Sequence, residues 1–289
     1  MPEKAKVPAI RFKGFTDAWE QRKVSEIANL YYGGGTPSTL KDEYWHGVIP
    51  WIQSSDIAED DVLNVSPRKF ISLQAVNHSA AKIVPDDSIA VITRVGVGKL
   101  AFMPFSYTTS QDFLSLSKLN VDGHFAVYSL YRKLQNDLNM VQGTSIKGIT
   151  KEELLAKEIA VPEIREQIQI GSYFRKLDNL ITLHQRKFEK LHNVKKAMLE
   201  KMFPENGNNV PEIRFAGFTD AWEQRKFSDN IISIQTGTNL LGGLGNTGIP
   251  LLKMGNIQRG YFSLDKIEYL DAKDEVEKEN IAYYGDFFF

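Results

Sequence analysis

The sequence predicts an α+β protein: a mixed α/β domain, then a long coiled-coil-forming helix, then a partial second copy of the domain. The first observation behind this prediction is a repeat, because Val7–Lys23 and Val210–Lys226 are identical at 15 of 17 positions, at an offset of 203 residues. The second observation is a heptad pattern of apolar residues between the two copies. A segment that recurs once around a domain and a helix indicates a chain built from two units.

We call the repeated segments the first lead-in (7–23) and the second lead-in (210–226). They set the predicted boundaries, with a first domain at 1–161, a helical spacer at 162–203 and an incomplete second domain at 204–289. Because the second copy holds only the opening of a domain, we expect the chain to be truncated within it.

Composition narrows the function classes. The 289 residues include no cysteine, which excludes disulfides, thiolate zinc sites and a cysteine nucleophile. The first residues lack an apolar signal core, and no apolar run approaches the roughly 20 residues of a membrane span, so we expect a cytoplasmic protein. The net charge of −1 is not that of a protein that binds nucleic acid alone. Between 163 and 203, however, nine Lys and Arg stand against five Asp and Glu.

The spacer has the clearest pattern. Pro162 stands at a plausible first helical position, and the apolar seam then recurs at spacings of four and three residues. We predict that this helix pairs with another helix through Ile170, Phe174, Leu177, Ile181, Phe188, Leu191 and Met198. His184 and Lys195 interrupt the seam and are interpreted as residues that set its register. A core helix of a globular bundle is the alternative.

The first domain has the elements of a mixed fold. Strands are predicted at Ile49–Ile52, at Ile89–Ile92 and at Lys157–Val161, and a helix at Val127–Leu138. Thr150, followed three residues later by Glu153, is a capping box that begins a further short helix.

The order of these motifs carries a family resemblance. The segments are GGGTPS to SSDI (33–57), ITRVGVGKLAF (92–102), QGTSIKGITKEEL (142–154) and VPEIREQIQIGSYFRKLDNLI (161–181). In this order, and with the repeat, they resemble the specificity subunit of type I restriction-modification systems. The resemblance covers the whole chain, and the second copy follows it where Ile249–Leu252 matches the Ile49–Ile52 strand.

The resemblance implies a non-catalytic subunit with two target-recognition domains, each of which reads half of a split double-stranded DNA site. Two long helices space these domains. Methylation and restriction subunits assemble around the specificity subunit and supply the chemistry, so S-adenosylmethionine, ATP and Mg²⁺ are expected on those partners and no cofactor or membrane on this chain. A truncated second copy leaves two alternatives, a homodimer acting on a palindromic site or a silent donor allele.

Catalytic motifs were sought and do not fit. The segment Gly96–Leu100 lacks the first glycine and the Ser or Thr of a phosphate loop, and no Pro-Pro pair supplies the loop of an adenine methyltransferase. Metal-ligand spacing is absent from the histidines, which are His46, His78, His124, His184 and His192. Two rival functions remain, a coiled-coil adaptor without a DNA role and a self-sufficient methyltransferase.

Base reading requires side chains that hydrogen-bond base edges from loops or strand ends. The candidates share such positions and are Gln53, Ser54, Ser55, Thr93, Arg94, Lys99, Ser110, Gln111, Thr144, Ser145 and Lys147. Arg94 and Lys147 lead this set, and ordinary turn chemistry is the alternative for each member. In the lead-in, Phe15 and Trp19 fit either a docking surface for the methylation subunit or anchors of the domain's own core.

Overall fold

A computed structural model describes residues 8–140, 148–205, 207–245, 247–258, 261–271, 276–283, 286 and 288. The chain forms two compact units, Met1–Val194 and Lys195–Phe289. A mixed α+β fold with one long helix was predicted, and both features are confirmed.

The first unit contains nine strands and most of the helices among its described residues. The strands are β1 Glu20–Lys23, β2 Ala28–Gly33, β3 Ile49–Ile52, β4 Lys69–Ile71, β5 Ser88–Ile92, β6 Leu100–Met103, β7 Thr108–Thr109, β8 Phe113–Leu119 and β9 Glu158–Val161. The helices are α1 Val24–Ile27, α2 Leu73–Asn77, α3 Gly123–Met140, α4 Lys151–Ala156 and α5 Ile164–Lys201, the last of which continues into the second unit.

The centre of the first unit is a four-stranded antiparallel sheet in the order β2-β8-β5-β6. All five residues of β5 are buried, so this strand has neighbours on both faces, as its continuous apolar run predicts. Helix α3 covers one face through Phe125, Leu130 and Leu134. Tyr107 and Met103 belong to a second core cluster.

A smaller sheet, in the order β4-β3-β7, stands beside the central one. Strand β3 pairs with β4 antiparallel and with β7 parallel, so that Ile52 lies opposite Thr109. Trp51 of β3 is buried, and its indole N–H donates to the carbonyl of Gly35 at 3.0 Å. That bond ties the glycine-rich loop after β2 to the smaller sheet.

Helix boundaries differ from the predicted ones where a side chain caps the backbone. Helix α3 begins at Gly123, four residues before the predicted start, because the Asp122 carboxylate accepts from the Phe125 amide at 2.8 Å. The capping box of Thr150 and Glu153 is confirmed at the start of α4. The prediction that Pro162 is the first helical residue is wrong: α5 begins at Ile164, and the Pro162 carbonyl accepts from the Gln167 side chain at 2.8 Å.

The start of α5 packs on α3. The Tyr128 hydroxyl donates to Asp178, and the Tyr128 and Phe174 rings lie 5.2 Å apart. Farther along, the predicted seam is open, because Ile181, Phe188 and Leu191 are 54%, 71% and 57% exposed. No helix within the described ranges is long and apolar enough to cross a membrane.

The second unit begins to repeat the first. Its strands are β10 Ile249–Leu251, β11 Ile257–Gln258, β12 Tyr261–Phe262 and β13 Glu268–Leu270, and β10 pairs with β13 as β3 pairs with β4. The Asn256 side chain accepts from the Lys253 amide at 3.0 Å, as Asp56 accepts from the Gln53 amide at 3.0 Å. This shared turn supports the match between Asn256–Ile257 and Asp56–Ile57 that the sequence suggests.

Candidate nucleic-acid interface

Five strand ends of the first unit converge on one edge. Strands β2, β3, β5 and β7 end there and β8 begins there, because Gly33 pairs with Leu114, Ile92 with Phe113 and Ile52 with Thr109. The loops that leave these strands carry the polar rim, which we define as Thr36, Gln53–Ser55, Thr93–Arg94 and Ser110–Asp112.

The rim loops are held together by backbone contacts. The Ser110 amide donates to the Ile52 carbonyl at 2.9 Å, and the Gly35 amide donates to the Thr109 carbonyl at 2.8 Å. A Cβ atom on Gly34 would lie 1.8 Å from the Ser110 carbonyl oxygen, so only glycine fits there. The rim is therefore a packed edge, which suits a surface that must hold side chains in fixed positions.

Side chains connect the same loops. The Thr36 hydroxyl donates to the Gln111 carbonyl oxygen at 3.1 Å, which leaves the Gln111 amino group directed away from that bond. The Ser110 hydroxyl donates to the Asp112 carboxylate at 3.2 Å. An orientated glutamine amide and an aspartate carboxylate are groups that read adenine and cytosine edges in DNA.

The last predicted segment joins the rim through Thr93. The Ile149 amide donates to the Thr93 carbonyl at 2.7 Å. Three predicted residues, Thr144, Ser145 and Lys147, lie outside the described residues, but Gly148 and Ile149 follow them directly and lie against Thr93. The chain on which Lys147 stands therefore rejoins the structure beside Arg94.

Exposure separates the predicted base readers. Arg94, Ser55 and Gln111 are exposed, and Gln53 and Ser54 are half-buried. Thr93 and Ser110 are buried, and their hydroxyls bond groups within the rim. Lys99 lies on the far side of the turn after β5, where its ammonium is 3.6 Å from the Glu59 carboxylate. The structure thus brings Gln53, Ser54, Ser55, Thr93, Arg94, Ser110 and Gln111 together and leaves Lys99 apart.

Sequence reasoning missed one cation at the rim. Arg68 donates to the buried Asp56 carboxylate at 2.5 Å and to the Ser55 hydroxyl at 2.5 Å, while 58% of its side chain is exposed. Asp56 in turn caps the turn that carries Gln53, so Arg68 and the rim share one network. No local pattern marks Arg68, since its partner stands twelve residues earlier in the chain.

The arrangement suits binding more than bond breaking. Among the described residues no cluster of His, Cys, Asp or Glu could hold a metal ion. The rim supplies donors and acceptors of several kinds at the mouth of a rigid edge, which is what recognition of base edges requires.

Comparison with known proteins places the chain in a family. The family described as "Type I restriction modification DNA specificity domain" matches residues 16–193, more than half of the chain. The chain belongs to this family. The matched residues include every strand of the polar rim and most of α5, so this specificity domain coincides with the first unit described above.

Two curated relatives extend the match of this specificity-domain protein. The type I restriction enzyme MjaIX specificity subunit of Methanocaldococcus jannaschii is 26% identical over 284 residues, which are 89% of this chain and 62% of that subunit. The type I restriction enzyme EcoR124I/EcoR124II specificity subunit of Escherichia coli is 31% identical over 169 residues, which are 56% of this chain and 41% of that subunit. The chain spans less than two thirds of the length of both relatives.

A solved structure has a related shape. The HsdS subunit of Thermoanaerobacter tengcongensis aligns with a TM-score of 0.46 and 19% identity, over 68% of this chain and 47% of that one.

Proposed function

We propose that this protein is the DNA-recognition and scaffolding subunit of a type I restriction-modification complex. In this role it directs adenine methylation and restriction by partner subunits to a bipartite double-stranded DNA site. The observation that carries the proposal is the family match over residues 16–193, which covers the domain whose strand ends form the polar rim.

The polar rim is the proposed surface that reads one half-site. Arg94 offers a bidentate donor for guanine, and Gln111 offers an amide for adenine. Lys147, although outside the described residues, belongs to the segment that rejoins the structure at Thr93. Because the net charge of the chain is −1, much of the contact with DNA phosphates is expected from the partner subunits.

The chemistry is assigned to the partners. The methylation subunits bind S-adenosylmethionine, and the restriction subunits use ATP and Mg²⁺. The chain itself needs no cofactor for recognition, because its contribution is to position DNA and the partner subunits. This assignment separates it from a self-sufficient methyltransferase, which would bind S-adenosylmethionine alone.

The test is a binding experiment with and without the methylation subunit. The full chain with its methylation subunit should bind duplexes that carry the target more tightly than scrambled duplexes, and the affinity should fall steeply as salt rises. Equal binding to both duplexes at every salt concentration would favour the coiled-coil adaptor instead. Binding of S-adenosylmethionine by the isolated chain would favour the methyltransferase.

A homodimer through α5 is a second candidate arrangement. The exposed seam at Ile181, Phe188 and Leu191 supports it, because an identical helix is available to cover an apolar stripe of this length. An antiparallel pair would place two copies of the polar rim at opposite ends, so the DNA site would become a spaced palindrome.

Light scattering of the full chain tests the homodimer. Phe188→Asp should give monomers, whereas Lys190→Asp, which changes the charge of an exposed residue outside the seam, should leave the dimer intact. A wild-type chain that is monomeric at all concentrations, or asymmetric methylated sites with this chain as the sole specificity subunit, would overturn it. A silent donor allele would direct no methylation with its methylation subunit.

A further inference from the structure

The first lead-in holds the start of a helix. Arg11 donates from Nε and Nη2 to the two carboxylate oxygens of Glu166, both at 2.7 Å. The Glu166 side chain is fully buried, and the hydrogen bond to it raises the pKa of the Arg11 guanidinium. The Phe12 ring packs edge-on against Tyr173 at 5.8 Å. Arginine and phenylalanine of this lead-in thus grip two successive turns of α5.

The second lead-in holds the end of a helix. The Ile213 amide donates to the Lys201 carbonyl at 3.0 Å, and the Lys201 ammonium bonds the Glu212 carboxylate at 2.6 Å. Glu212 stands at one of the two positions where the lead-ins differ, and Ala9, its counterpart in the first, cannot form this ion pair. The two nearly identical segments therefore use different sides.

As a result, the helix-start side of the second lead-in is unfilled. Arg214 corresponds to Arg11, yet among the described residues it makes no hydrogen bond or ion pair, and its Nη1 atom is buried. In both lead-ins Nη1 has no partner, but only in the first do Nε and Nη2 meet a carboxylate. Phe215 is 71% exposed, whereas its counterpart Phe12 is 37% exposed.

These side chains line a groove. Its volume is about 450 Å³, and the lining includes Arg214, Phe215, Phe218, Met198 and Met202. A guanidinium among apolar side chains is costly without an anion, and its planar fork fits a carboxylate in two parallel bonds. The groove therefore combines an apolar bed with a single carboxylate-binding group.

We propose that the groove at Arg214 is a docking site for the start of a second helix. The occupant is a helix N-terminal segment with a glutamate that lies under Arg214 as Glu166 lies under Arg11, and an aromatic residue seven positions later, as Tyr173 follows Glu166. The α5 start of another copy of this chain is already engaged, since its Glu166 is held by its own Arg11. The occupant is thus a helix start that no lead-in yet holds. This inference stands independently of DNA recognition.

The probe is a peptide with the sequence of residues 161–181, labelled with a fluorophore and held helical by a side-chain staple. Titrated with the full chain, it should show saturable binding by fluorescence anisotropy. Arg214→Ala in the chain, or Glu166→Gln in the peptide, should weaken binding at least about tenfold. Arg225→Ala is the matched control, because Arg225 lies in the same lead-in, is exposed and pairs with Glu223; its dissociation constant should equal that of the wild type.

Two further variants keep the result decisive if Arg214→Ala disturbs the unit. Arg214→Lys retains the charge and loses the fork, so it should still weaken binding. Arg214→Glu should regain affinity for a peptide with Glu166→Arg. Absence of saturable binding, or equal affinities for wild type, Arg214→Ala and Arg214→Lys, would overturn the proposal. So would a dimer of the chain that Arg214→Ala dissociates, since the occupant would then be a second copy.

Discussion

Thr93 and Asp112 are joined by two hydrogen bonds to one acceptor, because both the amide and the hydroxyl of Thr93 donate to the Asp112 carbonyl, at 2.7 and 3.0 Å. This double bond fixes the loop after β5 against the loop before β8. Since Arg94 follows Thr93 and Gln111 precedes Asp112, it also fixes the spacing of two proposed base readers.

Removing the Thr93 hydroxyl should loosen the polar rim. We expect Thr93→Val to lower the free energy of unfolding by about 1 kcal/mol, the net contribution of one buried hydrogen bond. Urea denaturation measures this change, and Thr93→Ser, which keeps the hydroxyl, is the control. A variant as stable as the wild type would show that the amide bond alone holds the two loops.

Arg94 should affect binding without affecting folding. If it reads a base, Arg94→Ala should weaken specific binding by the assembled complex by roughly 1–3 kcal/mol, and Lys147→Ala should have an effect of the same size. Titration of target duplexes with the complex measures it. Lys118→Asn, at the opposite end of β8 where the backbone φ is 51°, is the control, because asparagine tolerates that conformation. Unchanged affinity in both rim variants would make these cations ordinary surface charges.

His124 should make the first unit less stable in mild acid. Burial, and then the charge of Arg175, lower the pKa of His124, although Asp122 and Asp87 act in the opposite direction. Below the unfolded-state pKa of about 6.5 the unfolded chain binds the proton more readily than the folded one, so stability falls as pH falls.

The matching variant is His124→Gln, which cannot take up this proton. Its loss of stability between pH 7.5 and 5.5, followed by urea denaturation, should be smaller than that of the wild type. His46→Gln, at an exposed site, should behave as the wild type does. An identical loss in His124→Gln would refute the assignment of the acid sensitivity to His124.

The residues after the helix should be the first removed by protease. In the second unit Ile232, Leu241 and Leu244 are 104%, 89% and 86% exposed, and Leu270 is the one large apolar residue that is buried among those described. Little apolar burial leaves local opening inexpensive. Limited proteolysis should therefore cleave within 204–289 while the first unit persists. A resistant 204–289 fragment that melts cooperatively would contradict this expectation.

Local patterns predicted those parts of the fold that depend on neighbouring residues. The strand at Ile49–Ile52 and the capping box at Thr150 follow from alternation and from a three-residue spacing, and both are present. The start of α3 was predicted four residues late because the Asp122 cap precedes the apolar pattern. For Pro162, the polar contact of its carbonyl with Gln167 outweighed the usual preference of proline for a helix start.

The candidate site could be predicted only in part for the same reason. Loop residues such as Arg94 and Gln111 are recognisable as base readers by type, but their proximity depends on strand pairings across the sheet. Arg68 was missed because its role depends on Asp56, and Arg214 because its role depends on comparison with Arg11. Such long-range relationships are not encoded in spacing along the chain.

The most direct test of the account is a map of methylated adenines in a host that carries this chain and its methylation subunit. The account predicts one specific motif, which changes or loses a half-site in Arg94→Ala and is unchanged in Lys118→Asn. Methylation of the same motif at wild-type levels in Arg94→Ala and Lys147→Ala, or no motif that depends on this chain, would contradict it.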